Sequence, residues 1–156
     1  MTDVQSDLLK GLSEEETARF LALGVPTRLA GRQTLFRLGT EADRAYLMVR
    51  GRIALTLPIR IRGAEEEVLV EETQPGETVG WSGLVPPHRF TLNATAAIDS
   101  ELLGFSRASV HDYFAAHPAV GYTVTRNLAG VIGHRLQVFQ TMWLREMQRV
   151  VEQRYA

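Results

Sequence analysis

The sequence predicts one mainly β domain with flanking helices: an antiparallel β unit framed by a short N-terminal helix and a long C-terminal helix. Three observations carry this. A capped helical segment, "GLSEEETARFLALG", stands near the N-terminus. Short β-like runs separated by turn residues fill the centre, from about Thr27 to Phe105. A helical pattern without proline runs from Ala119 to Ala156. The expected division of the single domain 1–156 is 1–26 for the N-terminal helical segment, 27–105 for the β unit and 106–156 for the C-terminal helices.

The first helix has both ends written into it. Ser13 suits the N-cap, and Glu16 three residues later completes a capping box. Leu12, Phe20, Leu21 and Leu23 supply apolar anchors, and Gly24 is the expected stop. In the centre, "TLFRL", "AYLMVRG", "RIALTLPI", "EEVLVEE", "FTLNATAAI" and "ELLGFS" read as strands. Leu92, Ala94, Ala96 and Ile98 would share one face, with Thr91, Asn93, Thr95 and Ala97 on the other, the period of a half-buried strand. "VRGRI" predicts a tight hairpin with Gly51 at positive φ, and "RIRGAEEE" a looser one.

"SRASVHDYFAAHP" predicts a short helix ended by Pro118. In the long helix after it, Leu128, Ile132, Leu136, Phe139, Trp143, Met147 and Val150 recur at steps of three and four. Such a stripe needs something to pack on. Part can cover the β unit, and the rest fits a homodimer formed through the C-terminal helix. Gly130 and Gly133 lower helix propensity but permit a partner helix to approach closely.

Composition narrows the function classes. The 156 residues are 45% apolar and 22% charged, with a net charge of −1. That gives a globular domain with no general electrostatic reason to bind DNA or an anionic membrane. The absence of cysteine excludes disulfides, thiolate zinc sites, iron–sulfur clusters and a cysteine nucleophile. The acidic start "MTDVQSDLLKGLSEEE" does not read as a secretory signal, and no apolar run approaches the roughly 18 residues of a membrane span. A cytoplasmic location is the expectation. His88, His111, His117 and His134 are scattered, which disfavours a metal centre. The stripe Arg135, Arg145, Arg149 and Arg154 reads as the wet face of the last helix, and Glu65 to Glu72 as a solvated hairpin.

Four ordered blocks carry a family resemblance: "LLKGLSEEETARFLAL", "LFRLGTEADRAYLMVRGRIALTL", "QPGETVGWSGLV" and "ATAAIDSELLGFSRASVHDYFAAHP". Phe36, Gly39, Ala42, Tyr46 and Gly51 resemble the first hairpin of cyclic-nucleotide-binding domains, and Pro75, Gly76, Gly80, Gly83 and Leu84 their phosphate-binding cassette. The closest likeness is to the sensor half of the Crp/Fnr bacterial regulators. The resemblance implies a β-roll of the jelly-roll kind, an antiparallel double-stranded β-helix. It places the ligand pocket between roll and long helix, and the long helix along a dimer axis. A helix-turn-helix usually follows in this family. The chain stops at Ala156 within the helix, so a sensor domain standing alone, with no DNA-binding domain in this chain, is expected.

The same resemblance assigns the cassette chemistry. Glycine-freed backbone N–H groups and a short helix start meet the phosphate, an arginine pairs with it, a Ser or Thr adds a hydrogen bond, and a Glu takes the ribose hydroxyl. Here Gly80 and Gly83 are in place, while the ribose position falls on Trp81, followed by Ser82. The arginine position falls on Phe90 and the hydroxyl on Thr91. Arg89 comes one residue early, a slip that turns a strand side chain to the other face unless a bulge absorbs it. The run "RLQV", from Arg135 to Val138, resembles the helix just before the purine contacts, which become Phe139 and Gln140. The implied function is a non-enzymatic regulatory sensor with an atypical cassette for a small anionic ligand of the cyclic-nucleotide class. The alternative is a protein-interaction module whose pocket is closed by Trp81 and Phe139. A cupin-like metalloenzyme is disfavoured by the missing ligand cluster.

Overall fold

Ser13 starts the first helix. Its hydroxyl accepts from the Glu16 backbone N–H, and the Glu16 carboxylate accepts from the Ser13 N–H, so both halves of the capping box are made. Helix α1 spans Glu14–Leu21 in the computed structural model, which describes residues 5–156. The helix stops before Gly24, with Ala22 as its C-cap. Gly24 serves packing instead: a Cβ there would lie 3.1 Å from the Leu103 Cβ and from the Phe105 ring.

Eight strands are found among the described residues: β1 Val25–Leu29, β2 Thr34–Phe36, β3 Arg44–Arg50, β4 Ile53–Ile61, β5 Ala64–Thr73, β6 Thr78–Val79, β7 Asn93–Ala96 and β8 Ser100–Ser106. They form two antiparallel sheets, ordered β1-β8-β3-β6 and β2-β7-β4-β5. The chain passes repeatedly from one sheet to the other, which gives a β-roll. β1 and β6 left no period in the sequence. Pro26 interrupts β1, tolerable because β1 is an edge strand, and β6 has only two residues.

Leu92, Ala94 and Ala96 share the buried face as their alternation predicts, but Ile98 lies beyond the end of β7 and is 47% exposed. Asn93 is buried too, with both its amide oxygen and its amide nitrogen hydrogen-bonded. Oδ1 accepts from the Leu38 N–H at 2.7 Å, and Nδ2 donates to Glu67 at 2.9 Å. The β3–β4 hairpin places Gly51 at φ +100°, and a Cβ there would meet the Ser100 Cα at 2.6 Å. The β4–β5 hairpin is tighter than expected. Its two loop residues, Arg62 and Gly63, both have positive φ, the pattern of a two-residue type I′ turn.

Alternation along β3 and β8 splits the interior in two. Met48 and Leu102 point between the sheets with Phe36, Ile53, Leu55 and Val79. Leu47 and Phe105 point to the helical side with Leu8, Phe20, Val124 and Leu128. Helix α2 spans Arg107–Ala116, capped by the Ser106 hydroxyl. Helix α3 spans Pro118–Arg154, 37 residues, or about 55 Å at 1.5 Å per residue. Its first turns are anchored by Val120, Val124 and Leu128, while Trp143, Leu144 and Val151 stand exposed. No described helix is long and apolar enough to cross a membrane.

Candidate functional site

The segment from Gly80 to Thr91 joins β6 to β7. Gly80 adopts a left-handed conformation, φ +75°, and turns the chain into a single 3₁₀ turn, Trp81–Gly83. Both glycines are accounted for by packing. A Cβ on Gly83 would sit 2.0 Å from the Arg44 carbonyl oxygen, so the turn is pressed against the backbone of β3. A Cβ on Gly80 would come within 3.0 Å of the Phe36 ring and 3.1 Å of the Phe90 ring.

Trp81 is half-buried and packs, with Leu84 and Val85, on the helical-side core around Phe20 and Phe105, while still bordering the cassette cavity. Ser82 is buried, and its carbonyl oxygen lies 3.2 Å from Nδ1 of His88. Between the turn and the roll is a cavity of about 20 Å³, bounded by Phe36, Leu55, Ser82, Phe90, Thr91 and Arg135. That is room for about one water. The space is filled by aromatic side chains: Phe36 and Phe90 stack with ring centroids 3.7 Å apart and planes within 4°.

Arg89 does not reach this cavity. It is exposed, bridges Glu41 through its backbone, and donates from Nη1 to the Gly39 carbonyl at 2.9 Å. Phe90 takes the inward position. Thr91 is exposed at the cavity's rim. Phe139 is half-buried against the core between the sheets, and Gln140 is exposed. The structure therefore gathers Gly80, Trp81, Ser82 and Thr91 around one small space, sets Gly83, Leu84 and Phe139 in adjoining packing, and leaves Arg89 and Gln140 outside.

One charged residue among the described residues lines the cassette cavity, and it comes from the helix. Arg135 is 8% exposed and belongs to no wet stripe; Arg145, Arg149 and Arg154 are exposed as expected. The reason is angular. Arg135 follows Leu128 by seven residues and precedes Phe139 by four, so it shares their roll-facing side. That spacing, on the stretch of α3 where Leu128, Ile132 and Phe139 still pack on the core, is the signal that finds it in the sequence. Nor is all of Glu65 to Glu72 solvated. Glu71 on β5 places Oε2 2.7 Å from Arg135 Nη1 and Oε1 3.0 Å from His134 Nε2. The arginine pair is close but poorly aligned, and neither of its two facing atoms makes a well-directed hydrogen bond. Burial pushes the Arg135 guanidinium below its ordinary value, opposed by the Glu71 and Glu77 carboxylates. A guanidinium stays charged at neutral pH even so.

Arg135 is also a wall. On its other side lies an open, polar cavity of about 500 Å³, bounded by Asp7, Glu71, Glu77, Arg126, Asn127 and His134. No cluster of three or more His, Cys, Asp or Glu suited to a metal occurs among the described residues. An anion entering the site would find the Gly80–Gly83 turn, Thr91 and Arg135.

No curated protein matches the chain. Solved structures show the same fold. The N-terminal domain of a transcriptional regulator from Streptomyces coelicolor A3(2) superposes with a TM-score of 0.72 at 24% identity, covering 88% of this chain and 95% of that one. The catabolite activator protein of Thermus thermophilus gives 0.74 at 24% identity, over 92% of this chain and 63% of that one. A c-di-GMP-responsive global regulator of Xanthomonas campestris gives 0.74 at 19% identity, over 85% and 64%. The family model for the cyclic nucleotide-binding domain matches residues 26–117, more than half of the chain, from the second residue of β1 through the cassette to the end of α2. The chain belongs to the cyclic nucleotide-binding domain family.

Proposed function

We propose that this chain is a regulatory sensor domain with an atypical cassette, in which a small anionic ligand is detected between the Gly80–Gly83 turn and α3 and the output is the pose of α3. One observation carries the reading: the buried cation at the cassette, Arg135, belongs to the output helix rather than to a strand. A ligand charge drawn to Arg135 acts directly on α3, and it shifts that helix only by as much as it prefers one pose over another.

The same reading includes a homodimer along α3. Tyr122, Leu136, Trp143, Met147 and Val150 are 40–70% exposed on one side of the helix. Their steps of fourteen, seven, four and three suit a helix partner. A Cβ on Gly130 or Gly133 would meet nothing within 4 Å, so no contact within this chain accounts for either glycine.

Calorimetric titration with cyclic AMP, cyclic GMP and cyclic di-GMP tests the ligand class. At least one should bind with a Kd tighter than about 1 mM and slow amide hydrogen exchange in α3 around Arg135. No heat from all three, with exchange unchanged, sinks the sensor reading for these ligands.

A second reading is favoured by the cavity of about 20 Å³. A cassette already filled by Phe36 and Phe90 suits a ligand-free module that docks a partner protein through the exposed side of α3. Failure of the titrations together with an intact dimer is the result this reading predicts.

A further inference from the structure

Glu71 stands where a competitor for a ligand would stand. It occupies edge strand β5, and its carboxylate touches two residues of α3 at once, Arg135 and His134. The other two carboxylates on the larger cavity are engaged within their own neighbourhoods. Asp7 accepts from the Thr78 N–H at 3.0 Å and from the Thr78 hydroxyl at 2.6 Å. Glu77 accepts from the Gln74 N–H at 3.0 Å. Glu71 alone of the three closes on the cation that faces the cassette.

We infer that the Glu71 carboxylate is an internal occupant of the anion position at Arg135, and that a ligand oxyanion binds by displacing it. This rests on the sensor reading above. The pair has the properties of a displaceable contact. Its two facing atoms are 2.7 Å apart yet lack a well-directed hydrogen bond, although Arg135 is more than nine-tenths buried. A desolvated, misaligned ion pair gains little over its desolvation penalty. An oxyanion that meets the guanidinium in two aligned contacts is the better partner.

Geometry also gives the exchange somewhere to go. Arg135 separates the cassette space of about 20 Å³ from the open cavity of about 500 Å³. Withdrawal of Glu71 removes the tether that holds the guanidinium in that wall. A ligand of nucleotide size then has volume to enter that the cassette alone does not offer. Glu71 keeps a place to go, because His134 beside it is largely exposed. Displacement would also break the contact that β5 makes with α3 through Arg135 while the one through His134 can stay, so occupancy changes how β5 holds the helix.

The test is calorimetry with cyclic AMP and with inorganic phosphate on the full chain, its Glu71→Gln and Arg135→Gln variants, and the double variant. A self-occupied site binds weakly in proportion to the fraction of molecules in which it is vacated. Glu71→Gln should therefore tighten cyclic AMP binding about tenfold if the vacated form is about a tenth of the wild-type population. Arg135→Gln should abolish binding in both backgrounds. Phosphate should compete with cyclic AMP in Glu71→Gln, which identifies the oxyanion as the recognised group. Glu71→Asp, which draws the carboxylate back by one methylene, should shift affinity in the same direction and serves if Glu71→Gln is too unstable to purify. Wild-type binding that Glu71→Gln and Glu71→Asp leave unchanged or weaken overturns the inference while the sensor reading stands. So does competition-free binding that persists in Arg135→Gln. No binding of cyclic AMP by wild type or either Glu71 variant overturns the inference for this ligand, and the sensor reading itself fails when cyclic GMP and cyclic di-GMP give no heat as well.

Discussion

At Gly83 the missing side chain is worth more than any charge in the loop. A methyl group there would collide with the Arg44 carbonyl, a backbone atom that cannot step aside without moving β3. Gly83→Ala is expected to destabilise the fold by about 3 kcal/mol, read as a large fall in Tm. A variant as stable as wild type would mean that the turn is free to lift. Arg89→Ala should instead stay within about 0.5 kcal/mol, since the Arg89 side chain is exposed and donates to the Gly39 carbonyl, while its backbone bridge to Glu41 does not depend on the side chain. The contrast marks what single residues disclose in sequence. The cassette glycines are visible by position, and their cause is not, because it is a backbone atom some forty residues away. Arg135 was misread for a related reason. Four arginines near one another in sequence look like one stripe, but Arg135 alone lies before Phe139, where α3 still packs on the roll, while Arg149, on nearly the same side of the helix, lies beyond it.

Secondary-structure elements are legible in proportion to how local their determinants are. The α1 N-terminus is written in four consecutive residues, and the structure makes both hydrogen bonds of its capping box. Ser13→Ala should cost about 1 kcal/mol of stability by thermal or denaturant unfolding. The hydrogen bonds from the Ser13 backbone and side chain hold the Glu16 carboxyl below its ordinary value. A lowered folded-state value means that this contribution is present above the unfolded-state value and is lost as pH falls through the folded one. Stability should decline below about pH 4, and Glu16→Gln, which removes the titrating carboxyl, should flatten that part of the decline. An unchanged slope in the variant would assign the acid sensitivity elsewhere. The Gly51 hairpin is equally local in sequence but is enforced from afar. Positive φ and the Ser100 backbone both oppose a side chain there, so Gly51→Ala should cost about 3 kcal/mol or more. β1 and β6 escaped because neither carries a period of its own. β1 is defined by pairing with β8, and β6 by its two bonded neighbours on β3.

For the molecule as a whole, the roll and its order of helices could be read from spaced glycines, while the state of the pocket could not. Whether the cassette is open depends on side-chain volumes brought together from β2 and the end of the cassette loop, where Phe36 meets Phe90. The exposed side of α3 makes a prediction at this scale. Light scattering at tens of micromolar should find a dimer, and Leu136→Glu or Trp143→Glu should yield a folded monomer, since both side chains are about 60% exposed in the single chain. A monomeric wild type would remove the dimer from the reading. The same helix has a mechanical consequence. Arg135 sits near the middle of α3, and roughly 28 Å of helix lie between it and Arg154. A tilt of about 10° pivoting at Arg135 would carry the far end through about 5 Å, close to the rise of one helical turn. In the proposed sensor the long helix would be a lever whose fulcrum lies at the cassette, and a change of partner at one guanidinium would be magnified into a displacement that another macromolecule can feel.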